Sequence, residues 1–183
     1  MSKRIRRVRL RIVGVIVVAI AGFCLYWWLT QYYFPVRDVA PIVNLLEKGD
    51  LLGAQRLISG VCLTPDGRVE SVPGDAPGTI KPKKDPNRIR IRGIGADKVK
   101  HAILVILISS EDMNVLHGAL RCVISGAVNR NVLFDKQSER EILEKAVARY
   151  NAQIPAWAPE LPWSVTADSD GYYYVQMGGF EIP

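Results

Sequence analysis

Cysteine and histidine are scarce in this 183-residue chain, with three of the first and two of the second. Neither His101 nor His117 stands at a metal-ligand spacing from another ligating residue. There is no CxxC, HExxH, GxSxG or GxxxxGKS and no EF-hand loop. The strong signatures of dithiol redox chemistry, zinc proteolysis, serine hydrolysis, phosphate cradling and calcium binding are therefore missing. No metal, cofactor or catalytic residue is expected. A carboxylate pair drawn from Glu139, Glu141 and Glu144 is better explained by helix capping and i,i+4 pairing. None of the six asparagines heads an N-x-S/T sequon, which is compatible with a bacterial chain.

Charge is absent from Ile12 to Leu29, and that absence is the main positive feature. These eighteen apolar residues would make a helix about 27 Å long, close to the hydrocarbon thickness of a bilayer. Residues 12–29 read as a transmembrane helix in contact with lipid, and residues 1–11 as a basic cytoplasmic tail carrying Lys3, Arg4, Arg6, Arg7, Arg9 and Arg11. Tyr26, Trp27, Trp28, Tyr32 and Tyr33 form an aromatic membrane-interface belt, and residues 30–37 a short linker. A cleaved signal peptide is the rival reading, but cutting after Ala21 would leave an exposed aromatic N-terminus. Phe23 before Cys24 disfavours a lipoprotein signal. The expected address is a bacterial inner membrane, single-pass, with the N-terminus cytoplasmic and residues 38–183 periplasmic.

The tail also explains the net charge. Of 24 Lys and Arg, six precede the apolar run, leaving 18 against 18 Asp and Glu. The whole excess of +6 belongs to the topogenic segment, so the basic composition does not argue for nucleic acid as a partner.

The remaining 150 or so residues suit one domain. Two short helices are predicted in RDVAPIVNLLEKGDLLGAQRLIS, capped by Asp38 and Asp50, with Ile42, Leu45, Leu46, Leu52, Leu57 and Ile58 facing a core. A hairpin is expected around Pro65-Asp66-Gly67, and residues 71–87, rich in Pro and Gly, read as a flexible loop. Arg88 to Arg92 alternates Arg and Ile like a strand, and residues 101–109 read as a buried central strand. A helix with Ser110 as cap and a Met113, Leu116, Leu120, Val123, Ala127 face follows. Another carries a Ser138/Glu141 capping box and ends at Pro155. A second hairpin turns at Asp170-Gly171. The expected fold class is α+β, with a mostly antiparallel sheet packed on helices.

Cys62 and Cys122 are the two cysteines outside the apolar run, and in an oxidising compartment they are disulfide candidates, with two buried free thiols as the alternative. Charge is segregated as well. Lys81, Lys83, Lys84, Arg88, Arg90, Arg92, Lys98 and Lys100 face only Asp85 and Asp97 over twenty residues. Lys81, Lys83, Lys84, Arg88, Arg90 and Arg92 are the candidate binding residues, because arginines two apart share one face and guanidinium forks suit carboxylates or phosphates. Edge protection of a strand is the competing explanation. An acidic, aromatic C-terminal stretch, with Glu160, Asp168, Asp170 and Glu181 beside Trp157, Trp163 and Tyr172 to Tyr174, forms the opposite pole.

Two function classes follow. One is a non-catalytic periplasmic protein that binds another protein with an acidic surface, as an immunity-type inhibitor of a toxin or as a subunit of an envelope or secretion complex. The other is a small anchored enzyme acting on an envelope glycan.

Overall fold

A computed structural model describes residues 3–63, 70–72, 81–86, 88–154 and 162–177. Helix α1 (Lys3–Trp28) runs into a π-helical turn (Leu29–Tyr33) and on without a break into α2 (Phe34–Glu47). Proline explains the turn. Pro35 has no N–H to donate, and its ring would strike the carbonyl four residues back in an α-helix. Just ahead of it the helix widens, with the Phe34 N–H donating to the Leu29 carbonyl, five residues back. The Thr30 hydroxyl donates to the Tyr26 carbonyl at 2.9 Å and lies 3.1 Å from that of Trp27. The segment 30–37 is helical throughout, and one expectation is corrected here: Asp38 lies inside α2 instead of capping it.

Helix α3 (Leu51–Ser59) is capped as expected, with Asp50 accepting from the Gly53 N–H at 2.9 Å. Leu51 rather than Leu52 then enters the core, and Leu52 is exposed. Helices α4 (Ile94–Ser109), α5 (Met113–Val128) and α6 (Gln137–Gln153) complete the bundle, with α2 packed chiefly on α4 and α3 on α5. The core runs through Ile42 and Leu46, Ile58, Val99 to Leu107, Leu116 to Val123, and Leu143 to Tyr150.

The strand expected over 101–109 is the C-terminal half of α4. Val99, Ile103 and Leu107 recur every fourth residue and are fully buried, while Val105 and Ile108 face outward, so the run is a one-sided helix. Asp112, not Ser110, caps α5, accepting from the Asn114 and Val115 N–H groups. At the start of α6 the carboxylate that reaches back is Glu139, which accepts from the Asp135 and Lys136 N–H groups at 3.0 and 3.2 Å, so the Ser138/Glu141 box does not form. Arg140 pairs with Glu144 at 2.7 Å.

Among the described residues helices dominate, and the sheet content is two small antiparallel pairs. Strands β1 (Ser71–Val72) and β2 (Lys81–Pro82) pair within the 71–87 segment read as a flexible loop. The Pro65-Asp66-Gly67 turn lies outside the described residues, but Glu70 returns to donate to the Cys62 carbonyl at 2.9 Å. Strands β3 (Ser164–Ala167) and β4 (Tyr173–Gln176) form the expected second hairpin, with Gly171 at φ +84 in its turn. The fold is thus mixed helix and small antiparallel sheet, and the mostly antiparallel layer is replaced by helices.

Candidate functional site

Among the described residues Arg88 to Arg92 pairs with no strand, yet it keeps the alternation the sequence shows. Arg88, Arg90 and Arg92 are exposed, Ile89 is half-buried and Ile91 is buried in the core. The segment is fixed at both ends. Upstream, the buried Asp85 carboxylate takes the Arg56 Nε at 2.5 Å, and the Asp85 N–H donates to the Gly60 carbonyl at 3.1 Å. That hydrogen bond and charge raise the Arg56 pKa. Downstream, Gly93 leads into α4.

Arg88 lies against the end of α3. A methyl group placed on Gly60 would sit 3.1 Å from its Cγ, so its stem covers that glycine. Here a cleft of about 400 Å³ opens, lined among others by Arg88, Arg90, Ile91, Arg130 and Asn131. Asn131 donates to the Ile58 carbonyl at 2.6 Å, while its side-chain oxygen is buried without a partner among the described residues. Arg130 is the one non-glycine among the described residues with positive φ, at 50°. Its guanidinium pairs with Asp170 and, at 3.4 Å, with Asp168. The N–H groups of Tyr172 and Asp170, together with Arg130, hold the Asp168 carboxyl below the usual range.

The six candidate basic residues are not one patch. Arg88 and Arg90 line the cleft, and Arg92 continues the row to the start of α4. Lys83 pairs with Glu70 at 3.2 Å, Lys84 is exposed and pairs its backbone with Val61, and Lys81 lies in β2. Lys100 has been withdrawn into the protein: it meets Glu139 at 3.1 Å and Asp135 at 3.3 Å. Burial pulls the Lys100 ammonium down, but these two carboxylates outweigh it and its pKa is raised. Among the described residues Arg88, Arg90 and Arg92 form no ion pair, so three guanidiniums stand available for an external anion.

Cys62 and Cys122 are free and buried. Each thiol lies near a different backbone carbonyl, Lys84 at 3.8 Å and Leu51 at 3.5 Å, and burial pushes the Cys122 thiol up to about 12. Of the acidic pole, Asp168 and Asp170 are held by Arg130, Trp163 is buried against Tyr150 and His117, and Trp157, Glu160 and Glu181 lie outside the described residues. His101 is exposed at the surface of α4. Among the described residues no three of His, Cys, Asp and Glu gather as metal ligands.

Tyr26, Trp27, Trp28, Tyr32 and Tyr33 are between 46% and 66% exposed, and Val13 to Val18, Ile20, Phe23 and Leu25 of α1 are exposed as well. Among the described residues this is the one helix long and apolar enough to cross a membrane. Comparison with family models, curated proteins and solved structures finds no match to the chain.

Sequence reasoning missed Arg130 and Asn131. The only cue was the Asn-Arg-Asn triplet after a helical run, where a left-handed residue can end a helix. It also missed the ion pairs Arg56–Asp85 and Lys100–Glu139, which join residues 29 and 39 positions apart.

Proposed function

We propose that this is a single-pass membrane protein of a bacterial inner membrane whose periplasmic domain is a non-catalytic binding module for an acidic protein surface. The observation that carries the reading is the row Arg88, Arg90 and Arg92, exposed and unpaired among the described residues, on a segment pinned at both ends. Unpaired arginines on fixed backbone lose little freedom on capturing a carboxylate, and the planar fork accepts it in two hydrogen bonds. The cleft beneath Arg88 and Arg90 gives one acidic side chain a place to enter. Such a module serves either as an immunity-type inhibitor of a periplasmic toxin or as a subunit of an envelope or secretion complex.

The test is affinity purification of the intact chain from its own membranes in mild detergent. The wild-type chain is expected to carry a stoichiometric acidic partner, and Arg88→Glu with Arg90→Glu to lose it at unchanged melting temperature, since both side chains are exposed. Retention of the partner by the double variant, or turnover of an envelope glycan by the purified chain without any partner, would sink the reading.

A further inference from the structure

One side chain of α3 is buried at a cost that nothing in the fold offsets. Gln55 is only 7% exposed, yet its carboxamide makes no hydrogen bond among the described residues. A buried amide without a partner destabilises a protein, so its place here calls for a ligand. Neither its oxygen nor its nitrogen is sealed off: among the described side chains only the Asn131 oxygen is both fully buried and unpaired. The Gln55 carboxamide is presented instead to a groove of about 590 Å³ between α3 and α5, which Gln55 lines together with Asp50, Leu51, Leu52, Val115 and Arg121.

The walls of the groove define what can enter. Its floor closes where the helices meet, since a methyl group on Gly118 would lie 2.7 Å from Leu51 Cδ1. Leu52, 41% exposed, and the half-buried Val115 give aliphatic flanks. Asp50 and Arg121 put one charge of each sign in the lining, which disfavours a bare cation and a bare anion alike. Sugars and nucleobases are held by stacking on a flat ring, and His117 is the one ring in the lining. One of its faces is stacked on Tyr150, with centroids 5.6 Å apart, and Trp163 meets it edge-on at 5.4 Å. What fits is a neutral ligand with a donor and an acceptor side by side and an aliphatic group next to them.

An extended peptide has that pattern. The N–H and C=O of one residue point the same way, as in a ladder pair, and a carboxamide can answer both with its own oxygen and nitrogen. Burial of the Gln55 stem holds the amide in place, so little freedom is lost on pairing. We infer that this groove binds an extended, aliphatic segment of another polypeptide, one residue of which pairs its backbone N–H and C=O with Gln55. The groove shares no lining residue with the cleft at Arg88 and Arg90, so its role stands or falls apart from the one proposed there.

The test is nuclear magnetic resonance on the intact chain in detergent micelles, with the side-chain amides of Gln31, Gln55, Gln137, Gln153 and Gln176 labelled with nitrogen-15. The probe is N-acetyl-leucine N′-methylamide, a single neutral peptide residue. The Gln55 signals, assigned by their loss in Gln55→Met, should shift saturably with a Kd on the order of 1 mM, the value for so small a ligand. The other four should stay, Gln31 in the π turn reporting any effect of the probe on the micelle. The ester analogue, which lacks the leucine N–H, should bind about fivefold more weakly, the worth of one hydrogen bond. Gln55→Met keeps the volume and removes the unpaired amide, so it should melt at or above the wild-type temperature. Gln55 signals that stay put through the millimolar range, equal binding of amide and ester, or a stronger response to N-acetylglucosamine than to the peptide probe would each overturn the inference. So would a Gln55→Met protein that melts well below wild type, because the carboxamide would then be held by the fold itself.

Discussion

The contact between Gly95 and Pro35 joins the domain to the long helix, and Gly95→Ala tests it directly. The new methyl would stand 2.5 Å from the Pro35 carbonyl oxygen, 3.0 Å from its carbon and 3.1 Å from a Val39 methyl. Ordinary contact begins near 3.4 Å, so α2 and α4 must part by about 0.9 Å at this point. The obstacle is backbone inside a helix, which cannot rotate away as a side chain would. Overpacking of this kind costs about 1–3 kcal/mol, and the helix preference of Ala over Gly returns at most about 1 kcal/mol, less in a first turn. A net loss of about 1–2 kcal/mol remains, or roughly 3–6 °C in melting temperature for a domain of this size. The assay is thermal unfolding of the intact chain in detergent, followed by near-UV circular dichroism. Gly22→Ala is the control, because a methyl there meets nothing within 4 Å. A Gly95→Ala protein that melts at or above the wild-type temperature would refute the close crossing of α2 and α4.

Other perturbations follow from the same contacts. Lys100→Met leaves the buried Glu139 carboxylate with only its two backbone donors and should cost about 2–3 kcal/mol, while adding Glu139→Gln should recover part of that loss in a double-mutant cycle. Because the Lys100 pKa is raised on folding, its contribution should hold below the ordinary lysine value of 10.5 and fade as pH rises through the folded value, seen as a fall in melting temperature absent from Lys100→Met. Asp50→Ala removes the carboxylate that caps α3 and should cost about 1 kcal/mol, read as an earlier melt. Cys122, fully buried and with its thiol pushed up to about 12, should resist iodoacetamide in the folded protein and react fully in denaturant; labelling of the native state would contradict its burial.

Local signals were legible and distant ones were not. Asp50, the Asp170-Gly171 turn and the buried face of α5 follow from spacing and side-chain chemistry over a few residues. The error at 101–109 has a physical root: in HAILVILIS only the terminal His101 and Ser109 are polar, too far apart to reveal a period, and β-branched residues favour a strand locally. Only extension back to Val99 exposes the fourfold repeat Val99, Ile103, Leu107 that packing enforces. At Arg88 to Arg92 the alternation correctly gives which side chains are exposed, because burial of Ile89 and Ile91 sets it, but it cannot say whether a neighbouring strand exists. The cleft needed the ends of α3 and α5 to meet, and nothing in the spacing of Ser59, Arg88 and Asn131 encodes that meeting.

The continuous helix changes what a short anchor implies. A domain on a flexible linker samples all orientations, so its binding face must be reached by diffusion and a partner sees it at a low effective concentration. Here the chain passes from apolar run to core without a joint: Val39, Ile42 and Leu46 of α2 are buried within the bundle that the helix supports. A rotation of the domain would require unpacking α2 from α4, which would expose those side chains at roughly 1.5–3 kcal/mol each. The π turn inserts its extra residue just before Pro35, and an added residue turns everything beyond it by about 100° around the helix axis. The position of Pro35 therefore sets which side of the domain lies over which side of the membrane helix. If the long helix crosses the bilayer, the arginine row has a fixed bearing as well as a fixed height, and a partner that also spans the membrane can meet it by lateral encounter alone.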